Sequence, residues 1–269
     1  MPKNQQLHGF TLIELSIVLV IIGLIAGGVL FGKDLIFVAR LRQQISQIEQ
    51  FDTAQSTFRL KYNAIPGDLS PEKADALGMA ARSGDPGHGD GNGQIEGCTH
   101  GTMSLIGSFG CEHALFWGDL SVAQLISQDF SANDDNPPVA NTVQEVFNFF
   151  PKMIAATNAS THVHSDGTHN WYIFSHINAL RADNTWAANA IGVEGAIAYG
   201  IDAKIDDGLP LEGIAQVGGY GGFAHHQIFF NPPSTNAISC LTATDEYKHV
   251  PQSNIGIYCN VFQVRASGL

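Results

Sequence analysis

The sequence predicts an α+β chain: one very long N-terminal helix, then a globular domain built on an antiparallel sheet with several loop insertions. Three observations predict it. An apolar run from Phe10 to Gly32 passes unbroken into an amphipathic stretch, and no proline occurs between residues 3 and 65. Short β-rich runs lie in the second half, among them Trp171-Tyr172-Ile173-Phe174 and Ile255 to Val264. Twenty-nine glycines and 11 prolines suggest that much of the globular part is loop.

The apolar run comes first. From Phe10 to Gly32 the only ionisable side chain is Glu14. A bilayer core of about 30 Å needs about 20 apolar residues in a helix, so this segment is long enough to span one. A carboxylate inside such a span costs roughly 2.5 kcal/mol or more, which marks Glu14 as a functional candidate. Before the span stand Met1 to Gly9, short and polar, with Lys3 as the one cation. A secretory signal would place its small-residue cleavage site after the apolar stretch. Here the small residue, Gly9, precedes it, so cleavage there keeps the helix on the mature chain.

The order Gly9-Phe10-Thr11-Leu12-Ile13-Glu14 resembles the N-terminus of type IV prepilins and of type II secretion pseudopilins. The resemblance implies a pilin-like fold and four parts: a leader over 1–9, a transmembrane or filament-core helix over 10–32, its amphipathic continuation over 33–65, and a globular domain over 66–269. It implies cleavage between Gly9 and Phe10 by a membrane aspartic prepilin peptidase, with N-methylation of Phe10. It implies that Glu14 pairs with the Phe10 ammonium of a neighbouring subunit during assembly. Its expected partners are that peptidase/N-methyltransferase and other pilin or pseudopilin subunits. The expected location is the bacterial inner membrane with the domain in the periplasm, then a pilus or pseudopilus. An ordinary signal anchor is the alternative, and it leaves Gly9-Phe10 unexplained. Pilins often carry a proline about twenty residues after the cleavage site, where this chain has Phe31.

Beyond Gly32 the helix continues. Val38, Leu41, Ile45, Ile48, Phe51 or Asp52, Gln55, Phe58 and Tyr62 recur at spacings of three and four, mostly apolar as one helix face requires. Ile65-Pro66-Gly67-Asp68 is the stop, since Pro66 disfavours helix at its predecessor. Residues 112 to 127 predict an amphipathic helix with Leu115, Phe116, Leu120, Ala123 and Ile126 on its apolar side. The Tyr62 to Asp68 turn, the Gly89-Asp90-Gly91-Asn92-Gly93 loop and this Trp-containing helix follow one another as in a subgroup of large pilin-like proteins. Residues 194 to 205 predict a short helix ending at Asp206-Asp207-Gly208, and a similar acidic segment occurs in that subgroup.

Two loops carry candidate calcium ligands. The first is His88 to Glu96, with Asp90 and Asn92 at alternate positions, as calcium loops have them. It departs from that pattern with His88 in place of the first Asp and Thr99 in place of the bidentate Glu. The second holds Asp202, Asp206 and Asp207 beside Lys204. Each reads either as a calcium site or as an acidic turn with no ion.

Four cysteines stand at 98, 111, 240 and 259. In an oxidising compartment they allow two disulfides and three pairings. Cys98–Cys111 with Cys240–Cys259 is favoured, because each closes a short local loop; free buried thiols are the alternative. His162, His164 and His169, with His225 and His226 further on, offer imidazoles that can bind Zn²⁺ or Cu²⁺, although Asp166-Gly167 also reads as a turn between two strands. The sequence shows no nucleophile–base–acid set, phosphate loop or haem motif, so an enzyme is not expected. A net charge of −12 argues against a general electrostatic grip on nucleic acid. The function expected is a structural filament subunit. It has two rivals: an adhesin displayed on the same helix, with residues 130 to 185 as the binding surface, and a metal-dependent exported enzyme, for which His162, His164 and His169 would have to converge.

Overall fold

The computed structural model describes residues 11–97, 111–130, 139–180, 186–188, 192–218, 258–259 and 261–267. Helix α1, Leu12–Tyr62, is a single element of 51 residues, about 76 Å long at 1.5 Å per residue. It stops where the sequence places the stop. Asn63 takes the left-handed conformation at φ 50° and its N–H caps the Arg59 carbonyl, the usual helix C-cap geometry. The chain then turns through Pro66 and Gly67 into α2, Pro71–Leu77.

Burial divides α1 in two. From Leu12 to Leu35 its large apolar side chains are exposed, whereas Leu41, Ile48, Phe51 and Phe58 lie in the core. Val38, expected on the buried face, is exposed, because the domain first closes over the helix at Leu41. Gln44 is fully buried there, and its Oε1 accepts the N–H groups of Ile154 and Ala155. A buried amide is tolerable only with such partners.

The remaining elements are α3 (Glu112–Val122), α4 (Val143–Val146), β1 (Ser160–Ser165), β2 (Asn170–Ser175), β3 (Ile177–Leu180), β4 (Trp186–Ala188), β5 (Val193–Glu194), α5 (Gly195–Ile205), β6 (Ala215–Gly218), β7 (Tyr258–Cys259) and β8 (Val261–Arg265). The main sheet has the order β1-β2-β8-β6, antiparallel throughout. Its first hairpin turns at Asp166-Gly167, as the sequence predicts, and Ser165 pairs with Asn170 across it. Alternation along β2 sends Tyr172 and Phe174 into the main core, while Trp171 and Ile173 form a second small cluster. The C-terminal strand forms as Val261–Arg265 beside β2; of the expected run from Ile255, residues 255–257 lie outside the described residues.

Helix α3 departs from expectation. An amphipathic helix would leave a polar face in solvent, yet every residue from Glu112 to Leu120 is buried. Helix α3 sits at the centre of the domain: Trp117 meets Phe51 of α1 edge-on at 4.7 Å and Tyr172 of β2 at 6.4 Å. Its polar side chains are held by protein groups instead of water. Helix α5 packs on α1 at Gly200, where an added Cβ would stand 2.6 Å from the Leu41 side chain.

Candidate functional site

The N-terminal site is built on the first turn of α1. Thr11 is its N-cap: Glu14 N–H donates to Thr11 Oγ1 at 3.3 Å, and the Thr11 N–H and hydroxyl both donate to Glu14 Oε2 at 2.8 Å. This reciprocal capping box satisfies backbone donors that a helix start leaves open. It also folds the Glu14 carboxylate back over the helix end. Gly9 and Phe10 lie outside the described residues. Above the cap α1 is apolar on all sides: its most apolar 18-residue window has a mean hydropathy of 2.7 and none of it is buried in the chain. Gly23, Gly27, Gly28 and Gly32 leave α1 unbroken, and each faces open space. A helix apolar all round requires an apolar environment that the described residues do not supply.

The first candidate calcium loop holds a different set of carboxylates from the one expected. Asp90 comes together with Asp68, from the turn after α1, and Glu112, from the first turn of α3; one carboxylate oxygen of each lies within 4.8 Å of the others. The glycine-rich loop supplies their partners. Gly91 and Gly93 N–H groups donate to the two oxygens of Asp68 at 2.6 Å. Gly89 and Glu96 N–H groups donate to Glu112 at 2.7 and 2.8 Å. Asn92 keeps its side chain within the loop, donating to Asp90 and Glu96 and accepting from Gln94. Burial, helped by the neighbouring charges, pushes Asp68 up to about 6 and Glu112 up to about 9. Three carboxylates this close repel one another when ionised, and protonation or a divalent cation relieves that. Gly89 has no alternative residue here: at φ 77° an added Cβ would run into the Leu69 carbonyl and the Arg82 stem.

The same corner contains a buried ion pair. Arg82 binds Asp119 of α3 through both terminal nitrogens, at 2.8 and 3.2 Å. Gly67 N–H donates to Asp119 at 2.7 Å, and Arg82 donates to the Gly67 carbonyl at 3.1 Å. The end of the long helix is thereby latched to the central one.

The second acidic group, Asp202, Asp206 and Asp207, does converge at the end of α5. Its carboxylates receive backbone donors too: Gly208 N–H on Asp202, Leu209 N–H on Asp207, and the N–H groups of Ile214 and Ala215 on Asp206. Both acidic groups can therefore act as turn-organising acceptors, and both have the oxygen donors a calcium ion takes.

The three histidines that the sequence offered as possible metal ligands go to different partners. His164 meets His113 of α3, nitrogen to nitrogen, at 3.0 Å. His162 packs on the Phe150 ring, and burial pushes its imidazole pKa well down. His169 sits at the hairpin beside Asp166 and Trp171. His225 and His226 lie outside the described residues. Cys111 and Cys259 are buried and neither is a free thiol, while Cys98 and Cys240 lie outside the described residues.

Residues 7–30 match the prokaryotic N-terminal methylation motif, the signature of type IV pilins and pseudopilins. No curated protein and no solved structure matches the chain. From Leu12 onward the motif falls on the exposed, apolar half of α1, and the helix is followed by an antiparallel sheet in an α+β, pilin-like layout. Motif and helix together fit a membrane-anchored, pilin-type chain.

Proposed function

We propose that the chain is a structural subunit of a type IV pilus or a type II secretion pseudopilus. It is cleaved between Gly9 and Phe10, methylated on Phe10 by the prepilin peptidase, held in the inner membrane with its domain in the periplasm, and then packed into a filament through α1. The observation that carries this reading is the coincidence of the methylation motif at residues 7–30 with a helix half whose apolar surface has no cover among the described residues. Bilayer lipid and neighbouring α1 helices are the two environments that can cover it. Glu14 then has a partner in each state: its own N-cap in the single chain, and the cleaved, cationic Phe10 of a neighbour in the filament.

Two measurements test the proposal. Mass spectrometry of the assembled protein is expected to show loss of residues 1 to 9 and one methyl group on Phe10; an intact Met1 there removes the processing. Glu14→Ala is expected to be processed and to stay in the membrane, because it makes the helix more apolar. It should fail in the sheared filament fraction, since removing one member of a buried pair costs roughly 3–5 kcal/mol. Equal filament yield from variant and wild type overturns the role given to Glu14.

A further inference from the structure

One cleft is unused by anything above. It has a volume of about 480 Å³ and lies between the lower part of α1, the loop before β1, and the start of α5. Lys33, Phe37 and Arg40 line it from α1, with His176, Glu194 and Ile197 opposite. Its volume is in the range of sites that hold a small molecule, about 300–1,000 Å³.

Its place along the helix is specific. Lys33 is the first ionisable residue after the apolar span that ends at Gly32. Arg40 is seven residues further, two turns up the same face and about 10 Å along the axis. Phe37, between them, is half-buried against the core. A leaflet's headgroup layer is about 5–7 Å deep beyond the hydrocarbon. With Gly32 at the hydrocarbon edge, the cleft begins in the headgroup layer and rises just above it. Long cationic side chains at that level reach phosphates readily.

The charges inside the cleft define the occupant further. Lys33 and Arg40 are exposed cations that suit a phosphate. Glu194, also exposed, brings a carboxylate into the same cleft. A purely anionic headgroup would meet Glu194 as a like charge. A headgroup with a phosphate and a primary ammonium pairs all three groups.

We propose that this cleft seats the headgroup of a phosphoethanolamine glycerophospholipid, with the phosphate at Lys33 and Arg40 and the ammonium at Glu194. Bound so, one lipid ties the globular domain to the bilayer surface while the subunit waits in the membrane. The proposal rests on the membrane-anchored reading of α1.

The test uses the full chain extracted in mild detergent, with native mass spectrometry counting retained lipid. The probes are phosphatidylethanolamine, phosphatidylglycerol and inorganic phosphate, each added separately. Wild type is expected to retain one phosphatidylethanolamine at least tenfold better than phosphatidylglycerol, and millimolar phosphate should not displace it. Lys33→Gln with Arg40→Gln should lose retention of both lipids. Glu194→Gln should keep binding and lose the preference. Lys61→Gln, which removes a cation at the other end of α1, should alter nothing, and melting curves of all variants check that each is folded. Equal retention by wild type and the Lys33/Arg40 variant overturns the proposal, as does preference for phosphatidylglycerol or displacement by phosphate. Failure of the anchor would show separately, as protein recovered without detergent. Failure of filament assembly would leave lipid retention unchanged.

Discussion

Arg82→Ala is the most informative single change in the globular domain. Its side chain is fully buried and Asp119 is 2% exposed, so the substitution strands a carboxylate inside the core. Deleting one member of a buried pair costs roughly 3–5 kcal/mol, mostly through the charge left behind. The donor to the Gly67 carbonyl is lost as well. In a domain of this size 1 kcal/mol moves the melting temperature by about 2–4 °C, so a fall of about 6–20 °C is expected. Burial already holds the Asp119 carboxyl above its ordinary range, with Arg82 opposing that rise; without Arg82 it climbs further. A carboxyl whose folded pKa exceeds its unfolded value adds stability below the unfolded pKa and loses it as pH rises through the folded one. The deficit should therefore widen between pH 5 and pH 8. Urea midpoints of the detergent-extracted protein at the two pH values measure it. Replacing both partners, Arg82→Met with Asp119→Leu, should cost less than Arg82→Ala alone. A loss under about 1 kcal/mol, unchanged with pH, would refute a buried pair at this corner.

Further expectations follow from the same geometry. Gly213→Ala should destabilise the domain by more than about 1 kcal/mol, since its φ of 77° is left-handed and a Cβ would strike the Asp206 carboxylate; an unchanged melting temperature would count against the turn as described. Calcium is expected to raise the melting temperature over that in EDTA through Asp68, Asp90 and Glu112, and Asp90→Asn should blunt the rise; identical curves would leave the three carboxylates as amide acceptors only. Non-reducing peptide mapping should link Cys98 to Cys111 and Cys240 to Cys259, each closing a short loop worth on the order of 3 kcal/mol; a peptide joining Cys98 or Cys111 to Cys240 or Cys259 would reject that pairing.

What the sequence made legible was local. The end of α1 was readable because proline restricts the residue before it, and Asn63 closes the helix one residue after Tyr62, three positions short of Pro66. The Asp166-Gly167 turn was readable because glycine there supplies φ 86°. The end of α5 was announced by Asp206-Asp207-Gly208. Long-range convergence was not legible. Asp68 and Glu112 are 44 positions apart, and matching the loop to a calcium template sought every ligand inside the loop. The signals were present, in an acid straight after Pro66-Gly67 and another opening α3, but nothing in the spacing joins them. The burial of α3 on all sides was hidden for the same reason: Glu112, His113 and Asp119 look like a wet face until Gly89, His164 and Arg82 arrive from elsewhere.

The division of α1 has a thermodynamic consequence for how this chain partitions in a cell. Fourteen large apolar side chains between Leu12 and Phe31 stand exposed. At about 1.5 kcal/mol each, hiding them from water is worth on the order of 20 kcal/mol. Folding a domain is worth about 5–15 kcal/mol. The location of the chain is thus governed more strongly by its helix than its shape is by its domain. A variant whose domain has melted should still sediment with membranes, and a folded subunit has no appreciable dissolved pool. In the filament proposed above, every transfer of a subunit would then pass from one apolar shelter directly to another, and a subunit leaving the filament would return to lipid.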